Sequence, residues 1–258
     1  MDRGTSHGSN ENYDRRMRNR QRKHDPIDVK KNKCKPWLKK MWCIGKITSD
    51  YRSRMYDILD LYAETYDPKR PVVCIDEKSK QLLGDPRGPL PMKPGVVKRE
   101  DYHYARNGVR NLFVAVEPKA GKRIVSVTQH RKKPDFARFV RDMIRKHYRA
   151  IEKVRIVCDN LNTHFEKSFT ETFPRAETER IFSKIEFHYT PAHASWLDMA
   201  EIEIGILDRQ CLNRRMGNED VLKREVAAWA DTRNLAQKTI EWKFTKQDAD
   251  EKLGSHYV

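Results

Sequence analysis

The chain has few of the features that mark secreted, membrane-spanning or zinc-stabilised proteins. Its 258 residues contain no run of 18 apolar residues, and the N-terminal residues have no apolar core like that of a signal peptide, so we expect neither a membrane-spanning nor a secreted protein. The five cysteines are odd in number and show no CxxC spacing, which argues against a disulfide framework and against a structural zinc site.

Acidic residues are also in deficit, with 37 Asp and Glu against 53 Lys and Arg, for a formal net charge of +16. Such a balance favours a polyanionic partner such as nucleic acid. Half of the excess lies in residues 1–50, which hold 14 basic and 6 acidic residues. A basic but inert surface is the alternative, and composition alone does not separate DNA, RNA and anionic lipid.

The pattern along the chain predicts three regions. Residues 1–35 combine Gly, Ser, Asn, Arg and Lys without apolar periodicity, as in a disordered basic arm. Residues 36–70 read as a linker with a docking helix, including an amphipathic helix from Asp50 to Tyr66. Residues 71–253 hold the alternating strand and helix patterns of one α/β domain.

Within that domain, short β-rich runs alternate with amphipathic segments. We predict a strand that ends on Asp76, a Pro- and Gly-rich loop, a hairpin turning at Gly121, and two further strands. The predicted strands are 72–76, 111–117, 123–129, 154–158 and 185–189, and the helices are 134–148, 165–172, 176–184, 195–215 and 219–243. This order predicts a five-stranded mixed sheet with helices on both faces.

Two carboxylates stand at predicted strand ends: Asp76 follows VVCI, and Asp159 follows RIVC. If the two strands are parallel neighbours, both side chains project from the same edge of the sheet. Like charges held close together are unfavourable unless a cation lies between them, and Mg²⁺ prefers oxygen ligands. A single Asp at a strand end is more often a turn or cap residue, so the prediction of a metal site depends on the pair.

A third acid follows in the helix that we expect Ser195 to cap. Glu201 has apolar Leu197 and Ile204 four residues before and three residues after it, so we expect its face to pack inward, where a carboxylate needs a partner. Glu203 lies among apolar residues too, and periodicity alone does not choose between the two. We expect Trp196 to lie in the core.

The segments VVCIDEKS, CDNLNTH and HYTPAHASWLDMAEIE together resemble the three catalytic motifs of the bacterial insertion-sequence-630 group of DDE transposases, which are relatives of the mariner elements. The resemblance covers roughly residues 35–253. It implies a ribonuclease-H-like fold and makes 71–253 a DDE catalytic domain. It also assigns Asp76, Asp159 and Glu201 as the catalytic residues and as the ligands of two Mg²⁺ or Mn²⁺ ions, with Glu201 preferred over Glu203.

The same resemblance implies metal-dependent cleavage of double-stranded DNA at element ends and strand transfer into a target, at TA. It further implies a homodimer acting in the cytoplasm, at the bacterial nucleoid, with no membrane partner. Asn160 and His164 would contact the metal ligands rather than the ions themselves. A packed or helix-capping His164 is an equal alternative.

Two departures from the family pattern stand out. Asp198 replaces the usual Asn, and the N-terminal helix-turn-helix domains that read element ends have no counterpart here. The alternatives are therefore an inactive remnant that binds DNA without sequence preference, and a metal-dependent nuclease that does not join strands.

Overall fold

The computed structural model describes residues 45–88, 90–99 and 101–258. The predicted arm at 1–35 and most of the predicted docking segment that follows lie outside these residues. Lys46–Val258 forms one compact unit. The domain boundaries at 35, 70 and 253 stay predictions.

Five strands form one mixed sheet, as predicted, and their order in the sheet is β3-β2-β1-β4-β5. The pairs β1–β2 and β2–β3 are antiparallel, whereas β1–β4 and β4–β5 are parallel. The strands are β1 (Val72–Gly84), β2 (Ala105–Glu117), β3 (Lys122–Thr128), β4 (Val154–Cys158) and β5 (Ile185–Tyr189).

Seven α-helices occur among the described residues, and none of them is both long and apolar enough to span a membrane. They are α1 (Ser49–Ala63), α2 (Lys133–His147), α3 (Glu166–Thr170), α4 (Arg175–Phe182), α5 (Met199–Leu207), α6 (Glu219–Leu235) and α7 (Lys246–Leu253).

Helices cover both faces of the sheet because alternate strand residues point to opposite sides. On one face, Val73 and Ile75 of β1 pack with residues of α2, α3 and α4. On the other face, Cys74 of β1 and Val157 of β4 pack with α1 and with the start of α5. A third cluster joins the β1–β2 pair to α5 and α6. Cys74 and Cys158 are fully buried strand residues.

The first strand is longer than predicted: it runs on through Asp76 to Gly84, and β2 begins at Ala105 rather than at Asn111. The polar residues after Asp76 pair with β2 in an antiparallel ladder that extends beyond the parallel part of the sheet. Hydrogen bonds with β2 stabilise this part of the strand, so apolar side chains are not required there. The predicted loop shrinks accordingly.

The hairpin between β2 and β3 turns at Gly121, as predicted. Gly121 has φ +65°, and a Cβ there would lie 2.5 Å from the carbonyl carbon of Gln237. Only glycine avoids both the left-handed strain and the clash.

The prediction of one helix from Ser195 to Arg215 is wrong. Residues Ser195–Leu197 form a 3₁₀ turn, α5 follows, and Asp208–Leu212 is a π-helical turn. Asp198 rather than Ser195 caps α5, because its side chain accepts a hydrogen bond from Ala200 N–H. Trp196 is 41% exposed, which contradicts its predicted core position. The last predicted helix ends early, at Leu235.

Glu203 anchors α5 through a buried double ion pair. Its carboxylate accepts from Arg123 Nε and Nη2 of β3, each at 3.0 Å, and both Glu203 and Arg123 are fully buried. Arg233 of α6 donates to the same carboxylate, with Nε at 2.5 Å. One acid therefore ties α5, β3 and α6 together.

We predict that Glu203→Gln destabilises the protein by about 3–5 kcal/mol, because it leaves the buried Arg123 charge and the neighbouring Arg233 without a carboxylate. Urea unfolding at pH 7 measures the change. The matched control is Glu201→Gln two residues away, which should change stability by less than about 0.5 kcal/mol because Glu201 is exposed. Equal stabilities for the two variants would contradict the prediction.

Candidate active site

Parallel pairing of β1 with β4 brings the two predicted aspartates to one edge. The ladder pairs Cys74 with Val157 and Ile75 with Cys158, so the next residues are Asp76 and Asp159. Strand alternation places Asp76 on the side of Cys74, the face covered by α1 and α5. Asp159 comes two residues after Val157, so the same alternation places it on the side of Val157. The two predicted site residues therefore leave neighbouring strands together.

The start of α5 lies over this edge and contributes two more carboxylates. Tyr62 of α1 donates to the carbonyl of Leu197 at 2.8 Å, which fixes the turn that leads into the helix. Asp198 follows as the N-cap, and Glu201 lies in the first helical turn. The N-terminus of a helix carries partial positive charge that favours acids at both positions.

Exposure separates the two glutamates that periodicity left open. Glu201 is exposed, which contradicts the predicted inward-packed face, and Leu197, on which that prediction relied, lies in the 3₁₀ turn that precedes α5. Glu203 is fully buried, and both of its oxygens are engaged by arginines. Glu201 thus has a carboxylate that a ligand can reach, whereas Glu203 does not.

His164 forms a buried bridge between two acids. Its Nδ1 lies 2.7 Å from Asp159 Oδ1, and its Nε2 lies 2.8 Å from Glu77 Oε1. Burial alone lowers the pKa of His164, but hydrogen bonds to Asp159, Cys158 and Glu77 outweigh it and raise that pKa to about 12. His164 is therefore an imidazolium at neutral pH, and it fixes the orientation of Asp159.

The remaining acids hold an excess of negative charge. Burial, together with the smaller effects of the nearby charges of Glu77, Asp159 and Glu201, raises the pKa of Asp76 to about 7, against the hydrogen bond from Glu77 N–H, which lowers it. Burial also raises the pKa of Asp198 well above its usual range, and the charge of Asp76 acts in the same direction. The charges of Asp159 and Glu201 thus lie close enough to Asp76 and Asp198 to oppose the ionisation of those two acids.

The donor set fits a divalent cation. All four groups offer hard oxygen atoms, and Asp198 Oδ2 is buried without a hydrogen-bond partner. No group of three or more His, Cys, Asp and Glu side chains in the described part of the chain is arranged to hold a single ion. Mg²⁺ is commonly bound by one or two carboxylates, with substrate phosphates and water completing its shell.

Sequence reasoning missed one member of this cluster. Glu77 lies on the opposite side of β1 from Asp76 and reaches His164, and the polar residues that follow Asp76 gave no sign of continued strand alternation. Asp198 stood out in the sequence as a departure from the family pattern, and in the structure it is 1% exposed. Asn160 is exposed just beyond β4.

We predict that Asp198→Asn stabilises the metal-free protein at neutral pH. The raised pKa means that folding favours the protonated acid, so wild-type stability falls as pH rises from about 4, the pKa of an unfolded Asp. Asn keeps the acceptor for Ala200 N–H without the charge. Melting in EDTA should show equal Tm values near pH 4 and a higher variant Tm at pH 7.5, by about 2–4 °C per kcal/mol. A pH-independent difference would contradict this cause.

We predict that Glu77→Gln lowers the pKa of His164, because it replaces the carboxylate that accepts from Nε2 with a neutral amide oxygen, which is a weaker acceptor. Nitrogen-15 NMR of the imidazole through a pH titration measures this pKa. Mn²⁺ affinity should also fall about 10-fold or more, since Asp159 loses part of its support. Glu166→Gln, an exposed acid two residues after His164, is the control. An unchanged His164 titration in Glu77→Gln would contradict the bridge.

Solved structures share this fold at low sequence identity. The chain is similar to Mos1 in a strand transfer complex, with TM-score 0.51, 11% identity, and coverage of 99% of this chain and 81% of that chain. Mos1 in a pre-cleavage transpososome gives TM-score 0.50 and 11% identity with the same coverage. The predicted ribonuclease-H-like sheet with helices on both faces is confirmed.

A comparison with curated protein sequences found no match. The family described as "DDE superfamily endonuclease" matches residues 71–223, which is more than half of the 258 residues. This range includes Asp76, Asp159 and Glu201. The chain therefore belongs to the DDE superfamily endonucleases.

Proposed function

We propose that this protein is the catalytic part of a DNA transposase of the insertion-sequence-630 group, which cuts element ends and joins them to target DNA. The observation that carries the proposal is the acidic cluster at the β1–β4 edge: two aspartates in register on parallel strands, with Glu201 above them in the first turn of α5. The excess of basic charge supports DNA as the substrate.

In this proposal Asp76, Asp159 and Glu201 hold two divalent ions, Mg²⁺ or Mn²⁺. When bound, such ions activate the attacking hydroxyl and stabilise the leaving oxygen of the phosphodiester. The excess negative charge of the cluster supports the assignment, since a cation relieves the repulsion that raises the pKa of Asp76.

The other polar residues of the site position these three side chains. His164 holds Asp159 through Nδ1, and Glu77 holds His164 through Nε2. Asp198 fixes the first turn of α5 and so sets the position of Glu201. The proposal gives exposed Asn160, next to Asp159, a contact with either a ligand of the ion or the substrate.

The finer parts of the proposal come from the motif resemblance: strand joining, a TA target, a homodimer, and action at the bacterial nucleoid. They extend the family assignment.

We predict that the full-length protein, given Mg²⁺ or Mn²⁺ and end-containing duplex DNA, cleaves and joins strands. We expect the rate to fall by more than about 100-fold in each of three variants, Asp76→Asn, Asp159→Asn and Glu201→Gln. Mutating a residue that only supports a metal ligand already lowers metal affinity or activity by about 10–100-fold. Denaturing gels with end-labelled DNA separate nicked, cut and joined products.

The control is Glu241→Gln, an acid whose side chain is 81% exposed, which should keep wild-type activity. Cleavage without joined products would replace the transposase with a nuclease. Wild-type activity in Asp159→Asn, or no metal-dependent cleavage at all, would refute the proposed function.

A further inference from the structure

A basic groove lies between α2 and α4, on the face of the sheet that these two helices cover. Its walls come from the second half of α2, the turn after it, and both ends of α4. Only two acids, Asp142 and Glu177, line it. The six basic side chains are Arg141, Arg145, Lys146, Arg149, Arg180 and Lys184.

The two acids of the groove are already engaged by one of its cations. Arg141 lies 2.8 Å from Asp142 and 3.8 Å from Glu177, and its guanidinium stacks over the Phe173 ring. Lys184 donates to the carbonyl of Ile151 at 2.6 Å. Both cations therefore have a structural role that stabilises the walls of the groove.

The other four cations are exposed and form no ion pair with any residue that the structure describes. They are Arg145, Lys146, Arg149 and Arg180. Like charges gathered in a concave surface repel one another, and an anion with several charges relieves that repulsion. The groove thus has the charge pattern of a binding surface for a polyanion.

This accumulation is local and does not simply reflect the basic composition. α2 carries five basic and two acidic residues, whereas α6 carries three basic and four acidic residues. On α6, Lys223 pairs with Glu219 and Arg224 pairs with Glu225. Exposed cations are therefore neutralised on α6 and left unneutralised along the groove.

The groove is remote from the acidic site. It lies where α2 and α4 lead into the first residues of β4 and β5, whereas Asp159 follows the last residue of β4. The five residues of β4 span about 17 Å. That length corresponds to about five base-pair steps of duplex DNA.

We propose that the α2–α4 groove binds the phosphate backbone of duplex DNA at least about five base pairs from the reacting phosphodiester. Guanidinium and ammonium groups that contact phosphates hold the duplex without reading its sequence. This inference rests on the proposed function for its choice of DNA as the polyanion. It gives the catalytic part a DNA-binding surface of its own, which does not depend on a recognition domain.

The test compares two double variants with the same loss of charge. Arg145→Gln/Arg149→Gln removes two unpaired cations of the groove, and Lys223→Gln/Arg224→Gln removes two paired, exposed cations of α6. Fluorescence anisotropy of the full chain with a random 40-base-pair duplex, without divalent metal, gives Kd at several salt concentrations. Equal melting temperatures establish that both variants fold.

The groove variant should weaken binding at low salt and reduce the slope of log K against log salt by about 2, one for each lost phosphate contact. The α6 variant should change the slope by less than about 0.5. With a 10-base-pair duplex centred on the cleavage position, the groove variant should bind as wild type does. Equal slope losses in both variants, or no loss in the groove variant, would overturn the proposal.

A competitor separates DNA from another polyanion. If the groove variant loses affinity for DNA but binds poly-glutamate as well as wild type does, the groove is a DNA surface. If the groove variant loses poly-glutamate and keeps DNA, the proposal is overturned.

The outcome is independent of the chemistry. Asp159-dependent cleavage with an unchanged salt slope in the groove variant would refute the groove and leave the proposed function. A reduced slope without any metal-dependent cleavage would refute the function and leave the groove.

Discussion

The parallel pairing of β1 with β4 is the constraint on which the site depends. It fixes the register that sets Asp76 beside Asp159, and alternation along β1 then directs Asp76 to one face and Glu77 to the other. One strand thereby supplies a carboxylate to the open site and a second carboxylate to the buried support of its neighbour. Helix α5 completes the arrangement because Glu203, anchored by Arg123 and Arg233, holds the helix across the sheet.

The electrostatics of the edge follow from this geometry. His164 is one positive charge among five acids, and it is bound to Asp159 and Glu77 rather than to Asp76 or Asp198. Burial and mutual repulsion therefore raise the pKa of Asp76 and of Asp198. Such a cluster lowers the stability of the metal-free fold at neutral pH, and its negative charge favours the binding of a divalent cation. Structural stability is supplied elsewhere, in the ion pairs and apolar clusters that flank the edge.

Local patterns predicted the strands and helices that bury regular apolar faces, including the hairpin at Gly121 and the parallel strands that end near the site. They failed where contacts with residues far away in the sequence determine the local structure. The polar half of β1 is a strand because β2 pairs with it, and Glu203 is buried because Arg123, 80 positions earlier, meets it. Glu201 and Glu203 have similar neighbours in sequence, so periodicity could not separate them. The Ser195 spacing suggested a cap, yet Asp198 is the residue whose side chain reaches the first free amide of α5.

The central claim is that the β1–β4 edge and the start of α5 together form a divalent-metal site. A crystal structure of the protein with Mn²⁺ and a DNA end, with data collected at the manganese absorption edge, tests it most directly. The account predicts anomalous peaks bonded to oxygen atoms of Asp76, Asp159 and Glu201, with Glu203 still paired to Arg123. Peaks only elsewhere on the protein, or an edge that stays free of manganese at saturating concentration, would contradict it.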